Sequence, residues 1–458
     1  MTKTAADSRT DRSSEATASA SVPGTPASTP PVDTPPADTI LAEVQAEASV
    51  TPVRSMWLLR AMERGVLKQL EKISSGQLVV LHEGGSQVFG SDTECEPQAT
   101  VTVHSAEFFR RVALNGSLGF AESYLLGEWS CDDLTSLVRV FCRNLHVSDA
   151  ADSGFVKLVK SVARRWHERH ANSKENSLRN IHAHYDLGND FYSLFLDETM
   201  TYSCGVFLSE ESTLQEAQVE KIDRICRKLD LKPDDHLVEI GTGWGALAIH
   251  AASKYGCRVT TTTISREQFE FAKQRVEEAG LGDRITLLLE DYRDLTGQFD
   301  KLATCEMIEA VGYEYFDTFF RKCGELLKPN GQMVLQGITM SEHRYERYLK
   351  QVDFIQRYIF PGGCLITPRV VVDSVTRTSD MRLVHLEDLA PHYARTLKTW
   401  RDRFFARLDD VRTLGFPESF VRLWEYYLCY CEAAFSERLV GTVQVHFAKS
   451  ECRVDPIS

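Results

Sequence analysis

The stretch that decides the fold is HLVEIGTGWGALAIHAASKYG, residues 236–256. HLVEIGTG reads as a strand running into a glycine turn, and GALAIHAASKYG as the helix that leaves it. Gly241, Gly243 and Gly245 let the backbone turn tightly and approach a ligand closely. The spacing is not the G-x-G-x-x-G of dinucleotide enzymes, and no phosphate-binding lysine follows, which excludes a P-loop. Glycines clustered in this way are occasionally only packing, but their place between strand and helix favours a ligand site.

Outward from this unit, strand and helix alternate. CRVTTTTIS (257–265) reads as a strand and REQFEFAKQRVEEAG (266–280) as a helix ended by Gly280. RITLLLED (284–291) and KLATCEMIEAVG (301–312) read as strands, FDTFFRKCGELL (316–327) as a helix and GQMVLQGIT (331–339) as a strand. A helix holding RLWEYYLCYCEAAF (422–435) precedes a last strand, GTVQVHFAK (441–449). Repeated β-α order specifies a parallel, doubly wound sheet over residues 181–451. Upstream, QLVVLHEGG (77–85) and ATVTVHS (99–105) read as short strands. AEFFRRVAL (106–114) and LTSLVRVFCRNL (134–145) read as helices, with turn signals at Gly84-Gly85 and Asn115-Gly116. These form a small α+β N-terminal domain over residues 53–150, joined by a polar, helix-prone linker, 151–180. Residues 1–52, dominated by Ala, Ser, Thr and Pro, cannot bury a core and read as a disordered tail.

The loop of Glu239, Gly241, Thr242, Gly243, Trp244 and Gly245 resembles the cofactor loop of S-adenosylmethionine (SAM)-dependent methyltransferases. The second strand departs from the usual pattern. An acid that binds ribose hydroxyls normally ends it, and here four threonines run to Ile264 and Ser265. Threonine runs also follow from β-propensity alone. One family places T-x-S-x-x-Q here, however, and Thr263, Ser265 and Gln268 match it.

On these residues and several longer motifs, the chain resembles cyclopropane fatty acid synthases, including the mycolic acid cyclopropane synthases and, more closely, the plant-type members. HYDLGNDFY (184–192), TYSC (201–204), EMIEAVG (306–312), YIFPGG (358–363) and YYLCYC (426–431) follow the family's order, with AESYLLGEW (121–129) marking the small domain. The resemblance spans about Val53 to Lys449. It implies an α/β fold, a Rossmann-like SAM-dependent methyltransferase domain with the small α+β domain added. It further implies that SAM is held by Tyr202, Ser203, the loop from Glu239 to Gly245, Thr263, Ser265 and Gln268, and the turn Asp291-Tyr292-Arg293. The implied base is a bound bicarbonate ion, held by Cys204 and Ile338 through their backbones, by Glu309 and by Tyr393. Gln336 stands where many bacterial members carry His; an amide can hydrogen-bond an anion but carries no charge. Cys431 aligns with a cysteine once viewed as a nucleophile, although a buried thiol on an apolar helix is more often a core residue.

The implied reaction transfers a methylene group from SAM to the double bond of an unsaturated phospholipid acyl chain at a membrane surface. A tunnel for that chain is expected along Phe354 to Gly363. Three other readings stay open: a methylene- or methyl-branched product, a lipid-binding protein without catalysis, and a small-molecule methyltransferase. The net charge, 52 minus 65 or −13, argues against nucleic-acid binding. The basic stretch Lys157 to Arg169 could meet anionic head groups but reads more simply as a solvated helix face. Twelve cysteines without a C-x-x-C pair, and His182 and His184 without further ligands, give no metal site and suggest a reducing compartment. No apolar run reaches the roughly 18 residues that span a bilayer, and the N-terminus lacks the apolar core of a secretory signal. The expected location is cytoplasmic and peripheral to the membrane, and a homodimer is left open.

Overall fold

The computed structural model describes residues 56–91, 97–153 and 187–453. The tail, most of the linker, the basic stretch, His182, His184 and the first three residues of HYDLGNDFY lie outside them.

The first part of the described chain builds a four-stranded sheet from β1 (Gln77–His82), β2 (Gly85–Gly90), β3 (Gln98–Val103) and β4 (Trp129–Cys131), in the order β2-β1-β3-β4. Helices α1 (Met56–Leu70), α2 (Glu107–Leu125) and α3 (Leu134–Arg143) accompany it. The turn expected at Asn115-Gly116 does not end α2. Gly116 takes φ 57° and kinks the helix, which then continues. Phe108 and Phe109 before the kink, and Ala121, Tyr124 and Leu125 after it, bury in one core. Tertiary packing therefore overrides the local turn signal.

The larger sheet has seven strands: β5 (His236–Ile240), β6 (Arg258–Thr263), β7 (Ile285–Leu289), β8 (Phe299–Cys305), β9 (Leu327–Met340), β10 (Arg382–Asp388) and β11 (Val440–Ala448). Their order is β10-β11-β9-β8-β5-β6-β7, with β5 to β9 parallel and β11 antiparallel to both its neighbours, β9 and β10. The chain reverses its winding between β5 and β8, and the carboxyl ends of these strands form the crevice where open α/β sheets bind ligands. β10 gave no clear sequence signal because it is a half-exposed edge strand without clean alternation. KLATCEMIEAVG is strand only as far as Cys305. Glu306 takes φ 49°, which breaks the ladder and starts a turn.

Four helices frame the crevice: α4 (Leu214–Lys228), α5 (Arg266–Glu278), α6 (Ala390–Ala406) and α7 (Glu418–Ser436). Thr213 and Glu216 close a reciprocal capping box at the start of α4, satisfying donors that a bare helix end leaves orphaned. The apolar face of α7 packs Trp424 against Phe191, Phe195 and Phe420. Trp424 is buried, and truncation to Ala would cost about 3–5 kcal/mol. The opposite flank of α7 ties the small sheet down. Arg422 donates to the carbonyls of Tyr124 and Trp129 at 2.8 and 3.0 Å, and Tyr124 donates to Glu425 at 2.6 Å.

Candidate active site

A cavity of about 880 Å³ opens over the carboxyl ends of β5, β6 and β8 and extends among side chains of the small sheet and its helices. Twelve of the fourteen residues expected to hold SAM line it: Tyr202, Ser203, Glu239, Gly241, Thr242, Gly243, Trp244, Thr263, Gln268, Asp291, Tyr292 and Arg293. The other two act in support. Gly245, at φ 89°, starts the helix after β5, and Ser265 caps α5 by accepting from the Gln268 N–H.

The glycine loop is shaped as a cradle. Gly241 and Gly243 have φ of 99° and 53°, which side chains resist, and a Cβ on Gly243 would meet no atom within 4 Å. Glu239 is buried and accepts from Thr261 Oγ1 at 2.6 Å; burial pushes its carboxyl up to about 8. Arg293 holds Asp291 through two bonds of 2.8 and 2.6 Å. Trp244 Nε1 donates to Asn189 Oδ1 at 2.6 Å, which joins the loop to the YDLGNDFY segment. Open backbone, apolar rings and fixed polar groups fit an adenosyl sulfonium, so these residues suit SAM.

Beside the loop lies a second constellation, centred on a residue the sequence reading passed over. Glu306 Oε1 accepts from the Cys204 N–H at 3.0 Å and from Gln336 Nε2 at 2.8 Å. Its Oε2 accepts from the Tyr393 hydroxyl at 2.6 Å. The Ile338 N–H donates to Glu309 Oε1. All four expected donors are thus gathered, but onto the protein's own carboxylates. The donors expected around bicarbonate at Cys204 and Tyr393, with the amide of Gln336, here meet the carboxylate of Glu306. An added anion would compete with Glu306 for these donors.

Electrostatics separates the two carboxylates. Burial raises both, and the charge of Glu306 adds to the rise at Glu309, which reaches about 8. Three hydrogen bonds favour ionised Glu306, whereas Glu309 Oε2 has no partner among the described residues. The hydrogen bonds and Lys221 oppose the rise at Glu306, while Glu309, at about 8, keeps its proton at neutral pH. Lys221, buried and bonded to Ser203 Oγ at 2.7 Å, favours the ionised forms of Glu239 and Glu306. Lys221 was missed as well, because no local motif marks it.

Glu309, Ile338, Tyr393 and Cys431 line the cavity, while Cys204 and Gln336 stand behind Glu306. Burial and the neighbouring Asp353 push the Cys431 thiol up, which denies it the thiolate a nucleophile needs. Of the segment expected along an acyl tunnel, Ile355, Gln356, Phe360, Pro361 and Gly363 line the cavity, whereas Phe354 packs into the core.

The sequence model of the mycolic acid cyclopropane synthetase family matches residues 172–445. The chain belongs to that family. This cyclopropane synthetase family member is 41% identical to a tuberculostearic acid methyltransferase of Mycobacterium tuberculosis, over 73% of this chain and 79% of the relative. It is 36% identical to the cyclopropane-fatty-acyl-phospholipid synthase of Escherichia coli, over 77% of this chain and 88% of that one. The crystal structure of mycolic acid cyclopropane synthase CmaA1 complexed with SAH and CTAB superposes with a TM-score of 0.56 at 33% identity. The match covers 59% of this chain and 98% of that one. The cyclopropane synthetase family member is accordingly a SAM-dependent enzyme of the cyclopropane synthase type, with the Rossmann-like α/β fold expected from its sequence. Among the described residues no helix is long and apolar enough to cross a membrane.

Proposed function

We propose that this enzyme transfers a methylene group from SAM to the double bond of an unsaturated phospholipid acyl chain, forming a cyclopropane ring. The carrying observation is the continuity of one cavity from the glycine loop to an apolar region lined by Leu78, Val101, Phe108, Phe109 and Phe120. A hydrocarbon chain suits that wall, and its double bond would lie where the cofactor loop, Glu306 and Glu309 converge. An isolated alkene is a weak nucleophile, so the site must press it against the sulfonium methyl and exclude water. The small sheet supplies much of that exclusion. The enzyme meets its lipid from the cytoplasmic side, peripheral to the membrane, with the tail, the small domain and the catalytic domain divided as the sequence suggests.

A second product has one observation in its favour: the 41% identical relative is a tuberculostearic acid methyltransferase. Methyl or methylene branching shares the first transfer and diverges in which hydrogen leaves. Proton NMR and mass spectrometry of lipids from cells fed a labelled monounsaturated acid distinguish the two. Ring methylene protons at unusually high field support the cyclopropane reading. Vinyl signals or a new branch-methyl doublet as the main product would replace it with methylene or methyl branching, and unmodified acyl chains would sink both.

A further inference from the structure

We infer that Glu306 is itself the base of this reaction and that the enzyme works without bicarbonate. The inference rests on the lipid-alkylation reading above. Its ground is the convergence of the Cys204 N–H, Gln336 Nε2 and the Tyr393 hydroxyl on one half-buried carboxylate that borders the cavity. Those contacts use two lone pairs of Oε1 and one of Oε2, and a carboxylate has about four. One lone pair on Oε2 remains to take a proton.

The backbone supports the same assignment. Glu306 adopts φ 49°, a conformation that side chains avoid and that persists only where the surroundings over-determine it. Such strain gathers at functional sites, and here it turns the carboxylate from the end of β8 toward the donors. Lys221 supplies a nearby positive charge, and Glu309, raised by burial and by Glu306, stays protonated at neutral pH. One base and one acid therefore stand side by side, and a third anion would meet repulsion from Glu306 with its donors already engaged.

The proton balance is simple. The alkene pair bonds the incoming methyl carbon, and the carbon–sulfur pair returns to sulfur, leaving a cation on the chain. Glu306 Oε2 takes a proton from the new methyl. The freed C–H pair closes the ring onto the cationic carbon, and the carboxylic acid left on Glu306 loses its proton to solvent after product release.

The test uses the full chain, SAM, and vesicles of dioleoyl phosphatidylethanolamine and phosphatidylglycerol, in buffer purged of carbon dioxide. Wild-type SAH release should be the same with and without added bicarbonate, and carbon-13 NMR should detect no bound bicarbonate. Glu306→Gln should lose about 10²- to 10⁴-fold in turnover at unchanged SAM affinity. Glu306→Gly, which relieves the strained φ and empties the anion position, should bind labelled bicarbonate and regain turnover with it. Wild-type turnover that falls without bicarbonate, bicarbonate bound to the wild type, or a fully active Glu306→Gln would each overturn the inference. Absence of SAH release in every buffer would instead defeat the lipid-alkylation reading, and the binding measurement would still decide between Glu306 and bicarbonate.

Discussion

The side-chain amide of Gln336 donates to Glu306 across 2.8 Å, and its orientation is set from behind. Lys228 has only donors and points Nζ at Gln444 Oε1 at 2.8 Å, so the Gln444 amide must turn its Nε2 the other way. That Nε2 meets Gln336 Oε1 at 3.0 Å, which leaves Gln336 Nε2 facing Glu306. A charged residue at the end of α4 thereby fixes a neutral amide at the reaction centre.

Gln444 should therefore act as a positioning residue. Gln444→Leu leaves Gln336 Oε1 buried without its donor, at a cost of about 1–3 kcal/mol in urea unfolding. Turnover should fall while the SAM dissociation constant stays unchanged, because the cofactor loop is untouched. Lost stability with full turnover would reduce the relay to a structural role.

Gly243→Val should abolish SAM binding in a folded protein. A branched side chain there would sit at φ 53°, which strains it, and would project into the cavity where a Cβ meets no protein atom. Isothermal calorimetry at unchanged melting temperature checks this. Wild-type affinity would remove the glycine loop from the cofactor site.

Stability of the SAM-free protein should fall as pH rises from about 6 to 8.5. Glu309 and Glu239 are both raised, by burial first, from 4.5 to about 8. Between those values the folded protein holds protons that the unfolded chain has released, so the slope of stability against pH is negative. Their neutral burial is favourable below the unfolded value and is lost as pH passes through 8. Glu309→Gln should flatten the thermal melting profile over this interval and stabilise the protein at its alkaline end. An unchanged slope would mean that Glu309 is ionised at neutral pH.

Cys431→Ser should retain substantial turnover. The thiol is pushed up by burial and by Asp353, so little thiolate exists near neutral pH. Complete inactivation, with normal circular dichroism and SAM binding, would restore a nucleophilic role.

Much was legible in the chain because it is written locally. The glycine loop, the α5 cap at Ser265 and the alternation of strands and helices each depend on residues within a few turns of one another, so propensity and spacing suffice to read them. That local code determined the α/β fold, the place of the cofactor loop and the sequence likeness to cyclopropane synthases. It also mis-set two boundaries, at Gly116 and after Cys305, where packing and a strained φ overruled propensity. Only the tertiary structure decided which carboxylate receives the site's donors. Cys204, Glu306, Gln336 and Tyr393 come from four separate segments, and nothing in EMIEAVG says that its first carboxylate rather than its second receives their donors. Hydrogen-bond partners depend on distances of about 3 Å between segments brought together by folding, so this choice became visible only once β8, β9 and α6 were placed side by side.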